Sequence, residues 1–117
     1  LPRSLRPVRR AVREFLRAVG ATEDEVADLV LAAGEAAANV VEHAYGPAGG
    51  VLEVRLAEDD GTVSITVRDE GDWREARGAN RGRGLPLMHG LVDAVRVGRD
   101  LGGTTVRLTR TLAGEQG

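Results

Sequence analysis

The sequence predicts a two-layer α/β sandwich in which helices cover one face of a mainly antiparallel sheet. Two long segments before residue 46 carry apolar residues at helical spacing, and four segments after residue 51 alternate apolar and polar residues as strands do. The chain has 117 residues, of which 42% are hydrophobic, and this composition suits one compact domain with a single core. We therefore expect residues 1–117 to form one domain, which could be a segment of a longer protein because the sequence starts with Leu1 rather than Met.

The first part of the chain is predicted to form two helices. Within residues 4–19, apolar residues recur at helical spacing with arginines on the other side, and Gly20 ends this helix. Thr22 and Glu25 form a capping-box pattern, which predicts that a second helix begins there and runs to about Tyr45. The apolar face of the second helix, wide enough to pack on a sheet, contains Val26, Leu29, Val30, Ala33, Ala37, Val40, Val41 and Ala44.

The rest of the chain is predicted to form two hairpins and a short helix. Apolar residues at 52, 54 and 56, and again at 63, 65 and 67, flank the turn sequence EDDG and indicate a first hairpin. Residues 72–81 are polar and lack periodicity, so they predict a loop, and helical spacing resumes in the segment GRGLPLMHGLVDAV. The segments AVRVGR and TTVRLTRTL, joined by DLGG, predict a second hairpin that completes a four-stranded sheet.

The composition excludes several kinds of chemistry. All sixteen Lys and Arg positions are Arg, which excludes a Walker-type phosphate lysine and a Schiff-base lysine. The chain has no Cys, which excludes thiol nucleophiles and cysteine zinc sites. A net charge of −2 gives no overall basic field, so we expect no nucleic-acid partner. No apolar run approaches the roughly 20 residues that span a bilayer, and we expect a soluble protein of the cytoplasm without a membrane partner.

Glu35, Asn39 and His43 follow one another at four-residue spacing on the second helix, opposite its apolar face. Most polar residues in such positions are simply solvated. Asn is, however, a poor interior helix residue, and Gly34 costs roughly 1 kcal/mol relative to Ala in the same place. Glu35 and Asn39 lie one turn apart and could present a carboxylate and an amide oxygen to the same small volume, which suits a general base beside an Mg²⁺ ligand.

Two further segments could complete a nucleotide site. Gly82 and Gly84 precede the predicted third helix, whose free N–H groups and positive dipole end suit an anion such as phosphate. Asp69 stands at the end of a predicted strand, with Gly71 two residues on, and could accept a hydrogen bond from the exocyclic amino group of a base. Each feature has a plain alternative, because glycines can merely turn the chain and an Asp is common in a strand-end turn.

In combination, the order E-x-x-x-N, D-x-G, G-x-G-L and G-T resembles the sequence motifs of the GHKL (histidine kinase-like) ATPases. The stretches GEAAANVVEHAY, VRDEGDW, GRGLPLMHGLVDAV and GGTTVRL are most similar to the bacterial anti-sigma factor serine/threonine kinases, and the resemblance covers nearly the whole chain. It implies the Bergerat-type α/β sandwich, with ATP and Mg²⁺ as cofactors. It also implies that Glu35 is the catalytic base, Asn39 the Mg²⁺ ligand and Asp69 the adenine contact. The other cofactor-binding residues that it implies are His43, Gly71, Gly82, Arg83, Gly84, Leu85 and Thr104.

The same resemblance implies an ATP-dependent protein kinase that phosphorylates a STAS-domain anti-anti-sigma protein and so regulates a sigma factor by partner switching. A homodimer is also expected. One alternative is a nucleotide-binding switch that sequesters a sigma factor without kinase activity. Another is the regulatory kinase-like domain of a multidomain phosphatase. The presence of both Glu35 and Asn39 favours the enzyme, because a pure binding module would not need the base.

Overall fold

The computed structural model describes residues 5–42, 52–69, 90–100 and 103–113, which form two helices followed by a four-stranded sheet. In chain order the elements are α1 (Arg6–Ala18), α2 (Glu23–Glu42), β1 (Leu52–Asp59), β2 (Thr62–Asp69), β3 (Ala94–Asp100) and β4 (Gly103–Thr111). These elements confirm the predicted α/β sandwich and both hairpins. Most of the expected third helix, residues 82–95, lies outside the described residues. Gly90 and Leu91 have a helical backbone, residues 92–93 form a bend, and Ala94 already begins β3.

The predicted capping box forms at the start of α2. The Thr22 hydroxyl accepts a hydrogen bond from the Glu25 backbone N–H at 3.1 Å, and the Glu25 carboxylate accepts one from the Thr22 backbone N–H at 2.8 Å. The second oxygen of Glu25 accepts a hydrogen bond from the backbone N–H of Ala113 at 2.6 Å. Glu25 therefore caps α2, and it also binds the segment that follows β4 to the start of α2.

The sheet has the strand order β1-β2-β4-β3, and each neighbouring pair is antiparallel. A tight turn joins β1 to β2, and its two central residues have positive φ angles, 54° at Asp60 and 87° at Gly61. Such a turn matches the twist of the flanking strands, and the Asp-Gly pair favours it because both residues tolerate a left-handed backbone. The sequence of the turn thus sets the register of this hairpin.

The core lies between the helix layer and one face of the sheet. Val12 and Leu16 of α1 are fully buried, and the buried residues of the strands are chiefly the alternate Val, Ile and Leu side chains of β2 and β4. α2 contacts α1, β2 and β4, so its buried surface is wider than a single stripe. Val30, part of the predicted apolar face, is half-buried and packs against the core. Within residues 23–40 of α2, the buried residues are Glu25, Val26, Leu29, Ala32, Ala33, Ala36, Ala37 and Val40.

None of the helices in the described part of the chain is long and apolar enough to cross a membrane.

Candidate functional site

Glu35 and Asn39 occupy successive turns of α2, and both are half-buried. Their neighbours Ala36 and Val40 are fully buried, so the two polar residues lie at the border of the core and not on a fully solvated face. Residues four apart on a helix have Cβ atoms about 5–6 Å from each other, within reach of one small ligand. The helical spacing therefore allows a carboxylate and an amide to reach one ligand, and the roles of Glu35 and Asn39 stay predictions.

A groove of about 540 Å³ runs between α1 and α2 and has Glu35 in its wall. Arg9 and Arg13 of α1 line the same groove as Glu35. The sequence places these arginines on the polar side of α1, at four-residue spacing, but which element they face depends on how the two helices pack. Their position beside Glu35 is therefore a finding of the structure.

Asp69 and Thr104 are register partners at the end of the β2–β4 pairing. Thr104 is buried, with 2% of its surface exposed, and its hydroxyl has no hydrogen-bond partner within the described residues. A buried polar group without a partner costs about 1–3 kcal/mol. A site for a polar ligand would contain such a hydroxyl, because its hydrogen-bond partner would be the ligand. We therefore expect a polar ligand to bind near Thr104 and Asp69.

The remaining predicted site residues lie outside the described part of the chain. They are His43, Gly71, Gly82, Arg83, Gly84 and Leu85. The structure thus brings Asp69 and Thr104 together and places Glu35 and Asn39 on one helix, while the proposed phosphate-binding glycines stay sequence predictions. Among the described residues, no cluster of three or more histidine or carboxylate side chains could hold a metal ion.

Known proteins resemble this chain over most of its length. The model of the family described as histidine kinase-like ATPase domain matches residues 1–110. "Serine-protein kinase RsbW" of Bacillus subtilis (strain 168) is 33% identical over 116 residues, which cover 84% of this chain and 72% of that protein. "Anti-sigma F factor" of Geobacillus kaustophilus (strain HTA426) is 31% identical over 120 residues, which cover 90% of this chain and 82% of that protein.

A solved structure has the same fold. It contains the RsbU and RsbW domains of Rv1364c from Mycobacterium tuberculosis and superimposes with a TM-score of 0.74 at 36% sequence identity. The match covers 92% of this chain and 28% of the solved chain.

Proposed function

The chain belongs to the histidine kinase-like ATPase domain family, and we propose that it is a protein-serine/threonine kinase that uses ATP and Mg²⁺ to phosphorylate a STAS-domain anti-anti-sigma protein. The resemblance seen in the sequence motifs is confirmed by the family match and by relatives that are named as serine-protein kinases and anti-sigma factors. In this proposal, phosphorylation of the STAS protein controls whether a sigma factor is sequestered or released. A homodimer and a location in the cytoplasm stay predictions.

The observation that carries the proposal is the placement of Glu35 and Asn39 on successive turns of α2 at the edge of the core. A carboxylate in this position can accept the proton of an attacking serine or threonine hydroxyl. The amide oxygen of Asn39 is the type of hard ligand that Mg²⁺ accepts when phosphate oxygens and waters complete its octahedron. The two residues therefore provide the proton acceptor and the protein ligand that phosphoryl transfer needs.

The described residues also fit an adenine nucleotide at the other end of the proposed site. The buried Thr104 hydroxyl lacks a partner and could hydrogen-bond to the base or to a bridging water. Asp69, its partner across the strands, would accept a hydrogen bond from the exocyclic amino group of adenine. When bound, ATP supplies the γ-phosphoryl group for transfer. The backbone N–H groups near Gly82 and Gly84 would then hold its phosphates, since the chain has no lysine for that task.

The solved relative gives some support to the alternative that such a domain acts within a larger protein, because its RsbU and RsbW domains occur in one structure. In that arrangement the kinase-like domain would regulate a phosphatase domain of its own chain. The free-standing kinase and the regulatory domain of a larger protein would act on different targets, but both hypotheses require the same nucleotide site.

A transfer assay tests the proposal. The protein is incubated with Mg²⁺, ATP labelled on the γ-phosphate and a set of purified STAS-domain proteins, and the label on each protein is followed with time. We expect label to appear on a serine or threonine of a STAS protein. Tight ATP binding without transfer to any STAS protein would instead support the nucleotide-switch alternative, and absence of ATP binding would refute both.

A further inference from the structure

The face of the sheet that points away from the helices carries four arginines, against two carboxylates among its described side chains, Glu53 and Asp59 of β1. Because side chains alternate along a strand, the buried Val, Ile and Leu residues face the helices, and the residues between them form the opposite, outer face. The arginines of this outer face are Arg55 on β1, Arg68 on β2, Arg107 on β4 and Arg96 on β3. We call this surface the cationic sheet face.

Three of these arginines lie in one row that crosses all four strands. The register pairs Arg55 with Thr66, Thr66 with Arg107, and Arg107 with Arg96. Neighbouring strands are about 4.8 Å apart, so the row is about 14 Å long. The two acidic side chains described on this face, Glu53 and Asp59, lie on β1, away from Arg96 and Arg107. The other described residues of the face are mostly small; they include Ala57, Ser64, Ala94, Gly98, Thr105 and Thr109.

The two ends of the row differ in how their charge is balanced. Arg55 makes an ion pair with Glu53 at 3.2 Å, and the neighbouring Arg68 donates a hydrogen bond to the Thr105 hydroxyl at 2.8 Å. Arg96 and Arg107, in contrast, are direct cross-strand partners, and neither makes an ion pair or hydrogen bond within the described residues.

Like charges directly opposite each other on neighbouring strands destabilise a sheet. Nothing in the described fold requires Arg96 and Arg107 to be paired, since both side chains are exposed. An anionic ligand that neutralises both guanidinium groups would remove the repulsion and gain charge-assisted hydrogen bonds.

We propose that the cationic sheet face docks an acidic helix of a partner protein, with two carboxylates one helical turn apart bound by Arg96 and Arg107. Residues at positions i and i+4 of a helix have Cβ atoms about 5–6 Å apart, which fits side chains on neighbouring strands about 4.8 Å apart. Alternate residues of an extended segment lie about 6.6–6.8 Å apart and fit this spacing less well. A helix on this face would also turn the two-layer fold into a three-layer one, an arrangement common among α/β proteins.

Two observations favour an acidic protein over nucleic acid as the occupant. The described side chains of the face include no aromatic residue on which a base could stack. The chain as a whole has a net charge of −2, so it lacks the long-range positive field that draws nucleic acids to a surface. The docking site lies on the opposite side of the sheet from Glu35 and Asn39, so this inference goes beyond the proposed kinase reaction and does not depend on it.

A binding experiment with designed peptides tests the inference. The probe is a fluorescently labelled, alanine-based helical peptide with three Glu residues at four-residue spacing, and its control has Gln in the same three positions. Fluorescence anisotropy at low ionic strength measures their binding to the whole protein. We expect the Glu peptide to bind, the Gln peptide to bind at least about tenfold more weakly, and the affinity to fall steeply with added salt, because the contact relies on exposed charges.

Matched variants locate the site. Arg107→Gln removes one charge from the cationic sheet face, and Arg10→Gln removes one charge from the exposed surface of α1 in the other layer. We expect Arg107→Gln to weaken binding of the Glu peptide by about tenfold and Arg10→Gln to leave it within about twofold. Arg107→Glu should abolish binding while keeping the fold, because it converts the repulsive pair with Arg96 into an attractive one.

Several results would overturn the inference: no binding of the Glu peptide, equal losses for Arg107→Gln and Arg10→Gln, or displacement of the peptide by a lower concentration of oligothymidylate than of unlabelled peptide. Phosphate transfer measured on the same proteins keeps the two proposals apart. If the parent protein binds the peptide but transfers no phosphate, the docking site stands and the kinase proposal fails. If transfer proceeds but no peptide binds, the reverse holds.

Discussion

Thr104 lies directly opposite Asp69 in the antiparallel pairing of β2 with β4, and its buried hydroxyl has no hydrogen-bond partner within the described residues. On the same side of the sheet, the neighbouring alternate residues of β4 are the buried Val106 and Leu108. A valine at position 104 would continue this apolar row without an unsatisfied group. The hydroxyl is therefore better explained by ligand binding than by stability.

The variant Thr104→Val separates these two roles. It keeps the shape of the side chain and removes the hydroxyl. We expect the free energy of unfolding to stay the same or rise by up to about 1–2 kcal/mol, because a buried group without a partner disappears. ATP affinity should fall by about three- to tenfold, the equivalent of one lost hydrogen bond. Urea unfolding and calorimetric titration measure the two effects. A loss of stability with unchanged ATP affinity would show that Thr104 has a structural role.

Asp69→Asn tests the contact with the base. If the Asp69 carboxylate accepts a hydrogen bond from the adenine amino group, the variant should bind ATP at least about tenfold more weakly, since hydrogen bonds to charged groups are worth about 1.5–3 kcal/mol. GTP lacks that amino group at the same position and should bind weakly to both proteins. Equal ATP affinity of the parent and the variant would remove Asp69 from the site.

Glu25 makes the stability of the protein depend on pH. Burial disfavours its carboxylate, but hydrogen bonds from Thr22 and Ala113 and the charge of Arg110 outweigh that effect, so the pKa of Glu25 lies below its ordinary value of 4.5. A lowered pKa in the folded state stabilises the fold above pH 4.5, and this contribution is lost as the pH falls through the folded-state pKa.

The variant Glu25→Gln should therefore be less stable than the parent by about 1–3 kcal/mol at neutral pH, because the capping bonds lose their charge. The difference should shrink in acid, where the parent carboxylate becomes protonated. Urea unfolding at about pH 7 and about pH 3 measures it. Glu14→Gln, at an exposed position of α1, is the matched control and should change stability by less than about 0.5 kcal/mol. A difference between Glu25→Gln and the parent that is the same at both pH values would contradict the assignment.

Gly34→Ala is expected to stabilise the protein by up to about 1 kcal/mol, since Gly is a poor residue in the interior of a helix. A Cβ atom at this position would lie 3.9 Å from the Cδ of Arg9, an ordinary contact distance, so it meets no obstacle within the described residues. Ala38→Gly, one turn further along α2, is the reverse control and should destabilise by a similar amount. Thermal unfolding that shows Gly34→Ala to be less stable than the parent would mean that close packing requires the glycine.

The sequence was sufficient to predict the first two helices, the hairpins and the capping box, because each depends on local periodicity or on residues close in the chain. It was also sufficient to pair Glu35 with Asn39, since four-residue spacing on a helix fixes their relation. The helix-packing contacts could not be predicted in the same way. Arg9 reaches the groove beside Glu35 only because α1 packs against α2 in a particular orientation. Ala32 and Ala36 are fully buried although they were not part of the predicted apolar face, because α2 is covered by both α1 and the sheet.

The pairing of Arg96 with Arg107 could be recognised only from the exact register of β3 against β4. The sequence predicts this hairpin, but it does not define which residues of the two strands face each other. One residue of slippage would place Arg107 opposite a different partner. For the same reason, the pairing of Asp69 with Thr104 follows from the register of β2 with β4, two strands that are not consecutive in the chain.

The most direct test of the central claim is the rate of phosphate transfer by Glu35→Gln compared with the parent, measured with labelled ATP, Mg²⁺ and a STAS-domain protein that the parent phosphorylates. The variant keeps the size of the side chain but cannot accept a proton at neutral pH, so transfer should slow by about 10²–10⁴-fold while ATP affinity stays close to that of the parent. Asn39→Ala is the comparison, because loss of the Mg²⁺ ligand should weaken Mg²⁺-dependent ATP binding as well as transfer. Transfer by Glu35→Gln at the parental rate would contradict the account.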